Sequence, residues 1–487
     1  MDIIDTTYTR DTIDTIDTID TIDTIDTIDT KNMVDVVLGS QLGDEGKGRL
    51  IDILAAHYDI VARCNSGGNA GHKVVVGNKT YAFHLIPSGI LNPNCIGIIG
   101  NGCVINLQDL RKEIETIQAT DINNDAVLNI TQRLLISDRA HIVLNAHKEA
   151  DAARELQKSQ SSNPKSVIGT TKQGMGPVYS TKSLRVGIRM CDLLLDKIIL
   201  EEKVKGLVGE LEKTLGYDIN INDLMKDIEE QIDFYRPMIC DTITYLNMAI
   251  NNGRRVLIEI AQACLLDVDF GVYPYCTATN CSVGAICSGL GIPAHTIGKI
   301  NYVLKTYCTR VGNGPFPTEL LDGGVVGSSG AGGSSGAGVS IGVESICEKL
   351  QTIGHEYGTT TSRKRRCGWL DIPMVKWATM INGDTNSTLS LIKLDVLDTF
   401  KEIKIGVAYK INGKEVCGFP SSLENLADVE VEYEVFDGWM TPTTDIRDFK
   451  SLPTNAKIYL KRIEELLGIP IKYIGVGAER DAMIHIE

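Results

Sequence analysis

Apolar residues fall into short runs separated by polar, glycine-rich stretches, and these runs alternate with segments whose apolar positions recur every three or four residues. Val34–Gly39, Ile60–Ala62, Ile96–Ile99, Leu134–Ile136, Val256–Ile260, Tyr302–Tyr307 and Leu389–Lys393 read as buried or half-buried strands. Leu107–Ile117, Leu200–Leu215 and Asn222–Tyr235 read as helices, the last N-capped by Asn222, and Glu344–Gly354 as another. The alternation predicts an α/β fold, a mainly parallel central sheet flanked by helices, with helical excursions. Ile403–Ile411 and Glu415–Phe419 around Asn412-Gly413 read as a hairpin, and Ala456–Leu467 as an amphipathic helix ended by Gly468 and Pro470. They predict a small C-terminal hairpin layer.

Two segments depart from this pattern. Residues 11–28 are six copies of Asp-Thr-Ile, a three-residue period that fits neither a strand nor a helix, so 1–31 is expected to be a disordered tail. Residues 323–342, rich in Gly and Ser, have linker chemistry and read as a loop insertion within one domain spanning 32–487.

The composition, 43% hydrophobic over 487 residues, allows a large core. No apolar run approaches the ~18 residues of a membrane span, and the N-terminus lacks the character of a signal or transit peptide, so a cytoplasmic protein is expected. Thirteen cysteines without a C-x-x-C pair point to reduced thiols rather than a disulfide framework or zinc site. A net charge of −15 argues against nucleic-acid binding, although nine Asp against Arg10 and Lys31 make −7 of it a property of residues 1–31.

The densest chemistry lies in Val34–Asp52, VDVVLGSQLGDEGKGRLID, where a glycine-rich turn between strand and helix also carries Asp44 and Glu45. Glycines, backbone N–H groups and Lys47 suit a phosphate. Neither common nucleotide motif fits: Lys47 is followed by Gly48 where a P-loop has Ser or Thr, and the glycine spacing differs from the dinucleotide fingerprint. An acidic pair in such a turn suits proton transfer or metal binding, while GDEGKG by itself is also compatible with a charged surface loop. A second glycine-rich loop, Arg63–His72 (RCNSGGNAGH), follows the next strand and brings a histidine.

Together these loops resemble the adenylosuccinate synthetase family, and the resemblance continues through IGTTKQGMGPVY (168–179), AQACLLDVDFGVYPYCTATN (261–280), TRVGNGPFPTEL (309–320), TTSRKRRCGWLD (360–371), IKLDVLD (392–398) and IGVGAERDAMI (474–484). The resemblance implies a ligase that joins IMP and L-aspartate using GTP, giving adenylosuccinate, GDP and phosphate through 6-phosphoryl-IMP, the first committed step from IMP to AMP. It implies Asp44 as the base at N1 of IMP, His72 as the acid beside the 6-oxygen, and Lys47 as neutraliser of phosphate charge. Mg²⁺ is implied at the Asp44 carboxylate and the Gly71 carbonyl.

By the same resemblance IMP contacts fall to Asp44, Glu45, Gly46, Lys47, Asn69, Ala70, Gly71, His72, Thr171, Gln262, Thr277 and Arg363, with Arg185 supplied by the other subunit of a homodimer. GTP contacts fall to Gly43, Asp44, Glu45, Gly46, Lys47, Gly48, Arg49, Gly71, His72, Lys73 and Arg365, with guanine read by Lys393, Leu394 and Asp395 and by the backbone of Gly475, Val476 and Gly477. A carboxylate at Asp395 can accept both N1–H and N2–H of guanine, a pair adenine does not present. Aspartate contacts fall to Thr359, Thr360, Thr361, Ser362, Arg363, Lys364 and Arg365, the arginines being suited to carboxylates. Departures from the family pattern are Leu42 for Trp, Asn65 and Ser66 for Gln and Gly, Ala263 after Gln262, Ser362 for Gly, and Gly475 where Ser is frequent. A GTPase switch would share such loops but normally carries Ser or Thr after Lys47. A catalytically dead scaffold would not need Asp44, His72 and Lys47 together.

Overall fold

The computed structural model describes residues 33–77, 79–160, 167–321, 345–358, 363–383 and 386–486. The Asp-Thr-Ile tail, the Gly/Ser insertion and Thr359–Ser362 lie outside them.

A ten-stranded sheet forms the centre. Its strands, numbered along the chain, are β1 (Val34–Gly39), β2 (Ile60–Arg63), β3 (Ile96–Ile99), β4 (Leu134–Ser137), β5 (Ile239–Cys240), β6 (Val256–Ala263), β7 (Ile297–Lys305), β8 (Ser387–Ile392), β9 (Ile471–Gly475) and β10 (Met483–His485). The spatial order is β10-β9-β8-β7-β1-β6-β2-β3-β4-β5, parallel throughout except at β10. Strands β1, β2 and β6 are apolar on both faces because packed layers cover both, as parallel sheets require. One layer is α1 (Lys47–Ala55), whose Leu50, Ile51 and Leu54 pack on Val37, Val61 and Leu257. The central β1 lies between β6 and β7, so the carboxyl ends of β1, β2, β6, β7 and β8 open on one crevice, the usual ligand site of such a sheet.

Several predicted boundaries shift. The strand expected at Tyr302–Tyr307 begins at Ile297 and ends at Lys305, because Thr306 turns out of the ladder to bond the Ile392 and Lys393 carbonyls. Lys393 is not in β8: it adopts a left-handed conformation (φ 70°) and starts a short 3₁₀ turn, Leu394–Leu397. Asn222 is not an N-cap, since the helix is Ile221–Tyr235 and the Asn220 side chain accepts from the backbone N–H of Asn222 and Asp223. The helix expected at Glu344–Gly354 is Ile346–Ile353, closed at its start by a capping box between Ser345 and Glu348. The hairpin forms, with Asn412 and Gly413 both at positive φ, but its return strand is only Lys414–Glu415. The long antiparallel partner of Glu402–Ile411 is Glu430–Asp437. Among the described residues no helix is long and apolar enough to cross a membrane.

Candidate active site

The first loop leaves β1 and turns back through positive φ at Gly43 (95°), Asp44 (60°) and Gly46 (83°) before α1 begins. No side chain caps α1, so its first N–H groups remain for an anion. Lys47 and Glu45 lie folded inward, Nζ to Oε2 2.7 Å, with Glu45 Oε1 accepting from the Gly43 N–H at 2.8 Å. A Cβ at Gly39 would sit 2.9 Å from the Gln262 carbonyl oxygen, which is backbone and cannot swing aside, as well as 2.5 Å from Glu45 Oε2 and 2.8 Å from Lys47 Nζ, so glycine lets the loop close over the strand end.

The second loop packs directly on the first: a Cβ at Gly48 would lie 2.7 Å from the His72 Cβ. His72 Nδ1 is 2.6 Å from Glu259 Oε1, and Glu259 is fully buried on β6, held also by the Ser88 N–H at 2.8 Å and the Ser88 hydroxyl at 3.2 Å. Burial opposes charge on Glu259, but His72 and the buried Arg63 outweigh it and hold the carboxyl down at about 2. An ionised acceptor on Nδ1 fixes the imidazole tautomer and aims Nε2 away from the sheet. The resemblance did not single out Glu259, although a lone carboxylate in the apolar run VLIEIA was a legible signal of a buried pairing.

Asp44 keeps a partly exposed side chain, and its Oδ2 accepts from Arg365 Nε at 2.7 Å. Arg365, Asp44, Glu45, Lys47 and His72 are thus brought to one place from three separate parts of the chain. Around them, Asn69 Oδ1 accepts from the Ser66 hydroxyl (2.7 Å) and the Gly67 N–H (3.3 Å), and the Ala70 carbonyl is 2.8 Å from His84 Nδ1. Ser66 is at φ 71°, which costs a non-glycine residue roughly 1–2 kcal/mol; the Asn69 bond and one from its N–H to the Tyr179 hydroxyl offset this where the family pattern has glycine. Gln262 is likewise left-handed (φ 64°), its side-chain oxygen accepting from the Cys281 thiol at 3.3 Å, and Thr277 is tied by its N–H to the Leu266 carbonyl. Asn65 ties β6 to the loop beyond it, its Oδ1 accepting from the Ala261 N–H and its Nδ2 donating to the Asn280 carbonyl, while Leu42 packs with Cys264 and Leu265.

Arg363 reaches back to the Gly169 carbonyl at 3.4 Å, which places it beside the 167–174 segment carrying Thr171. Lys364 pairs through its backbone with Tyr357. On the other side, Lys393 donates to the Gly354 carbonyl, Leu394 is fully buried and can offer only backbone, and Asp395 Oδ1 is buried without a hydrogen-bond partner. Burial raises the Asp395 carboxyl above the usual range. The Arg49 guanidinium donates to the carbonyls of Gly477 and Ala482, joining α1 to the Gly475–Gly477 turn, and burial lowers its pKa to about 10. Val476 sits in the core, and a Cβ at Gly475 already comes within 3.0 Å of Arg49 Nη2. Lys73 is exposed on the strand after His72. Arg185 stands apart, exposed and left-handed at the end of the helix Met175–Leu184, with no side-chain hydrogen bond or ion pair to the described residues of its own chain.

A phosphate turn at the carboxyl ends of a parallel sheet, bearing its own carboxylate and packed against a carboxylate-oriented histidine, defines a nucleotide-dependent α/β enzyme. The adenylosuccinate synthetase family model matches residues 36–484. Adenylosuccinate synthetase of Drosophila mojavensis is 44% identical over 458 residues, covering 94% of this chain and 95% of its own. That of Saccharomyces cerevisiae (strain AWRI1631) is 45% identical over 463, covering 93% and 100%. Among solved structures, the fully ligated adenylosuccinate synthetase from Plasmodium falciparum superposes with a TM-score of 0.83 at 38% identity, covering 93% of this chain and all of that one. The cyanophage S-2L succinoaminodeoxyadenylate synthetase, at 19% identity and TM-score 0.52, shares the fold alone. The chain belongs to the adenylosuccinate synthetase family, a family of C–N bond-forming ligases.

Proposed function

We propose that this chain joins IMP to L-aspartate at the expense of GTP, with Asp44, His72 and Lys47 performing the phosphoryl step. The observation that carries the reading is the placement of a carboxylate, a lysine and a carboxylate-held histidine in one glycine-rich cradle. The carbonyl oxygen at C6 of IMP is a poor leaving group and must first be made into a phosphate ester. Asp44 takes the proton from N1, the 6-oxygen becomes nucleophilic and attacks the γ-phosphorus, and the bond to the GDP oxygen breaks. His72, through Nε2, stabilises the charge that develops between that oxygen and the moving phosphoryl group, and Lys47 turns from Glu45 to the phosphates. The aspartate amine then attacks C6 and phosphate departs, leaving adenylosuccinate. No covalent bond to the protein forms.

Asp44 and the Gly71 carbonyl are hard oxygen donors of the kind Mg²⁺ takes, and so small a protein donor set suits an ion completed by water and substrate phosphates. Bound there, Mg²⁺ supplies charge compensation for the β- and γ-phosphoryl oxygens. Asn69, Thr171, Gln262 and Thr277 hold IMP; Arg363, with the 359–362 segment, receives the aspartate carboxylates. Arg185 is given to the neighbouring subunit of a two-fold dimer, supported by its exposure and by the exposed apolar side chains of Leu184, Leu194, Leu195, Ile198 and Ile199 in the sequence around it, which no described residue fully covers. The setting for such a purine-forming step is the cytoplasm.

Guanine is read by Asp395, whose unpartnered buried oxygen is an acceptor waiting for donors. Adenylosuccinate formation, measured with each substrate omitted and then titrated, tests the reading. All three substrates should be required, and Asp395→Asn should raise KM for GTP by the ~1.5–3 kcal/mol of a lost charge-assisted pair while leaving KM for IMP near wild type. Product formation without GTP, or equal damage to both constants, would sink it.

A further inference from the structure

Beside the cradle, the fully buried Glu356 receives three cations from three segments of the chain. Lys305, at the end of β7, donates to both carboxylate oxygens at 2.9 and 2.8 Å. Arg365 Nη1 donates to Oε2 at 2.6 Å while its Nε holds Asp44. Lys393 Nζ lies 3.5 Å from Oε1, which also accepts from the Tyr307 hydroxyl. Burial disfavours charge on Glu356, but Lys305, Lys393 and Arg365 outweigh it and keep the carboxyl well below the usual range. The backbone is tied as well: the Arg365 N–H donates to the Glu356 carbonyl at 2.9 Å, and Gln351 Nε2 to the Arg365 carbonyl at 2.8 Å.

One cation would suffice to compensate one buried carboxylate, and desolvating three is costly. Two of the three, however, reach opposite ends of the proposed site. Lys393 begins the turn that carries Asp395, and Arg365 grips the carboxylate assigned as the base. Lys393, Glu356, Arg365 and Asp44 form an unbroken chain of ionic contacts.

We propose that Glu356 is a positioning residue that couples guanine recognition to the Asp44 base, by holding Lys393 of the guanine turn and Arg365, the clamp on Asp44, on one carboxylate. This rests on the roles given above to Asp44 and Asp395. A base seated against Lys393 fixes that arm of the carboxylate, and the other oxygen fixes Arg365 and with it Asp44. A wrong base is then penalised in turnover as well as in affinity.

The test compares kcat at saturating GTP with kcat at saturating ITP, which lacks the 2-amino group. Wild type should turn over GTP at least ~5-fold faster, and Glu356→Gln should lower turnover and narrow that ratio to within ~2-fold, the scale of couplings between contacting charges. Thermal melting establishes that the variant is folded. Glu356→Asp keeps the charge and shortens the reach, so it should narrow the ratio too, and it decides the matter if Glu356→Gln does not fold. An unchanged ratio in a folded variant, or equal turnover of GTP and ITP by wild type, overturns the coupling. Asp44→Asn separates the two claims: if it is inactive while the ratio does not move, only the coupling fails, and if it is active, the assignment of the base fails.

Discussion

Asp44→Asn should keep the fold and bind both nucleotides within a few-fold of wild type, yet lose at least ~10²-fold in turnover, the usual worth of a positioned base. The amide preserves volume in a left-handed position that Asn adopts readily, and Arg365 stays anchored because its Nη1 is held by Glu356. Steady-state turnover together with nucleotide titration checks this. Turnover at the wild-type level would remove Asp44 from the proton transfer and leave the cradle as a binding site only.

The second large effect concerns the site shared between subunits. Arg185→Ala and Asp44→Asn homodimers should each be almost inactive, since each lacks one component at both sites. In a mixed dimer one site combines the intact Asp44 of one chain with the intact Arg185 of the other, and its twin carries both defects. With free exchange about half the dimers are mixed and half their sites are whole, so roughly a quarter of wild-type activity should return. Differently tagged chains establish that exchange has occurred. Mixed dimers without recovered activity would place Arg185 in its own subunit's site or outside the chemistry.

The central strands were legible because they are apolar on both faces, and the cradle because glycines and charges of that spacing have few other uses. Proposed ligand contacts such as Thr171 and Thr277 carry no local signal, and only the resemblance marks them. The pairing of His72 with Glu259 depends on the register of β6 against its neighbours, a long-range fact that no window of sequence contains. The same holds for Glu356, which gathers Lys305, Arg365 and Lys393 only once β7 and β8 lie side by side. The strand Glu430–Asp437 is different: EVEYEVF alternates with period two, so its existence was readable and only its partner was not. Arg49 is a further case: its hydrogen bonds to the carbonyls of Gly477 and Ala482 join residues more than four hundred positions apart, and nothing in the nucleotide motif itself announces them.

The most direct measurement follows the 6-oxygen of IMP. Wild-type protein is given GTP, L-aspartate and IMP labelled with ¹⁸O at C6, and the released phosphate is examined by mass. Because the oxygen leaves C6 as a phosphate ester, the phosphate should carry the label, one atom for each adenylosuccinate formed. Unlabelled phosphate, with the label released to water, would mean that the amine displaces the oxygen directly, and the account of the cradle as a phosphoryl-transfer site would be wrong.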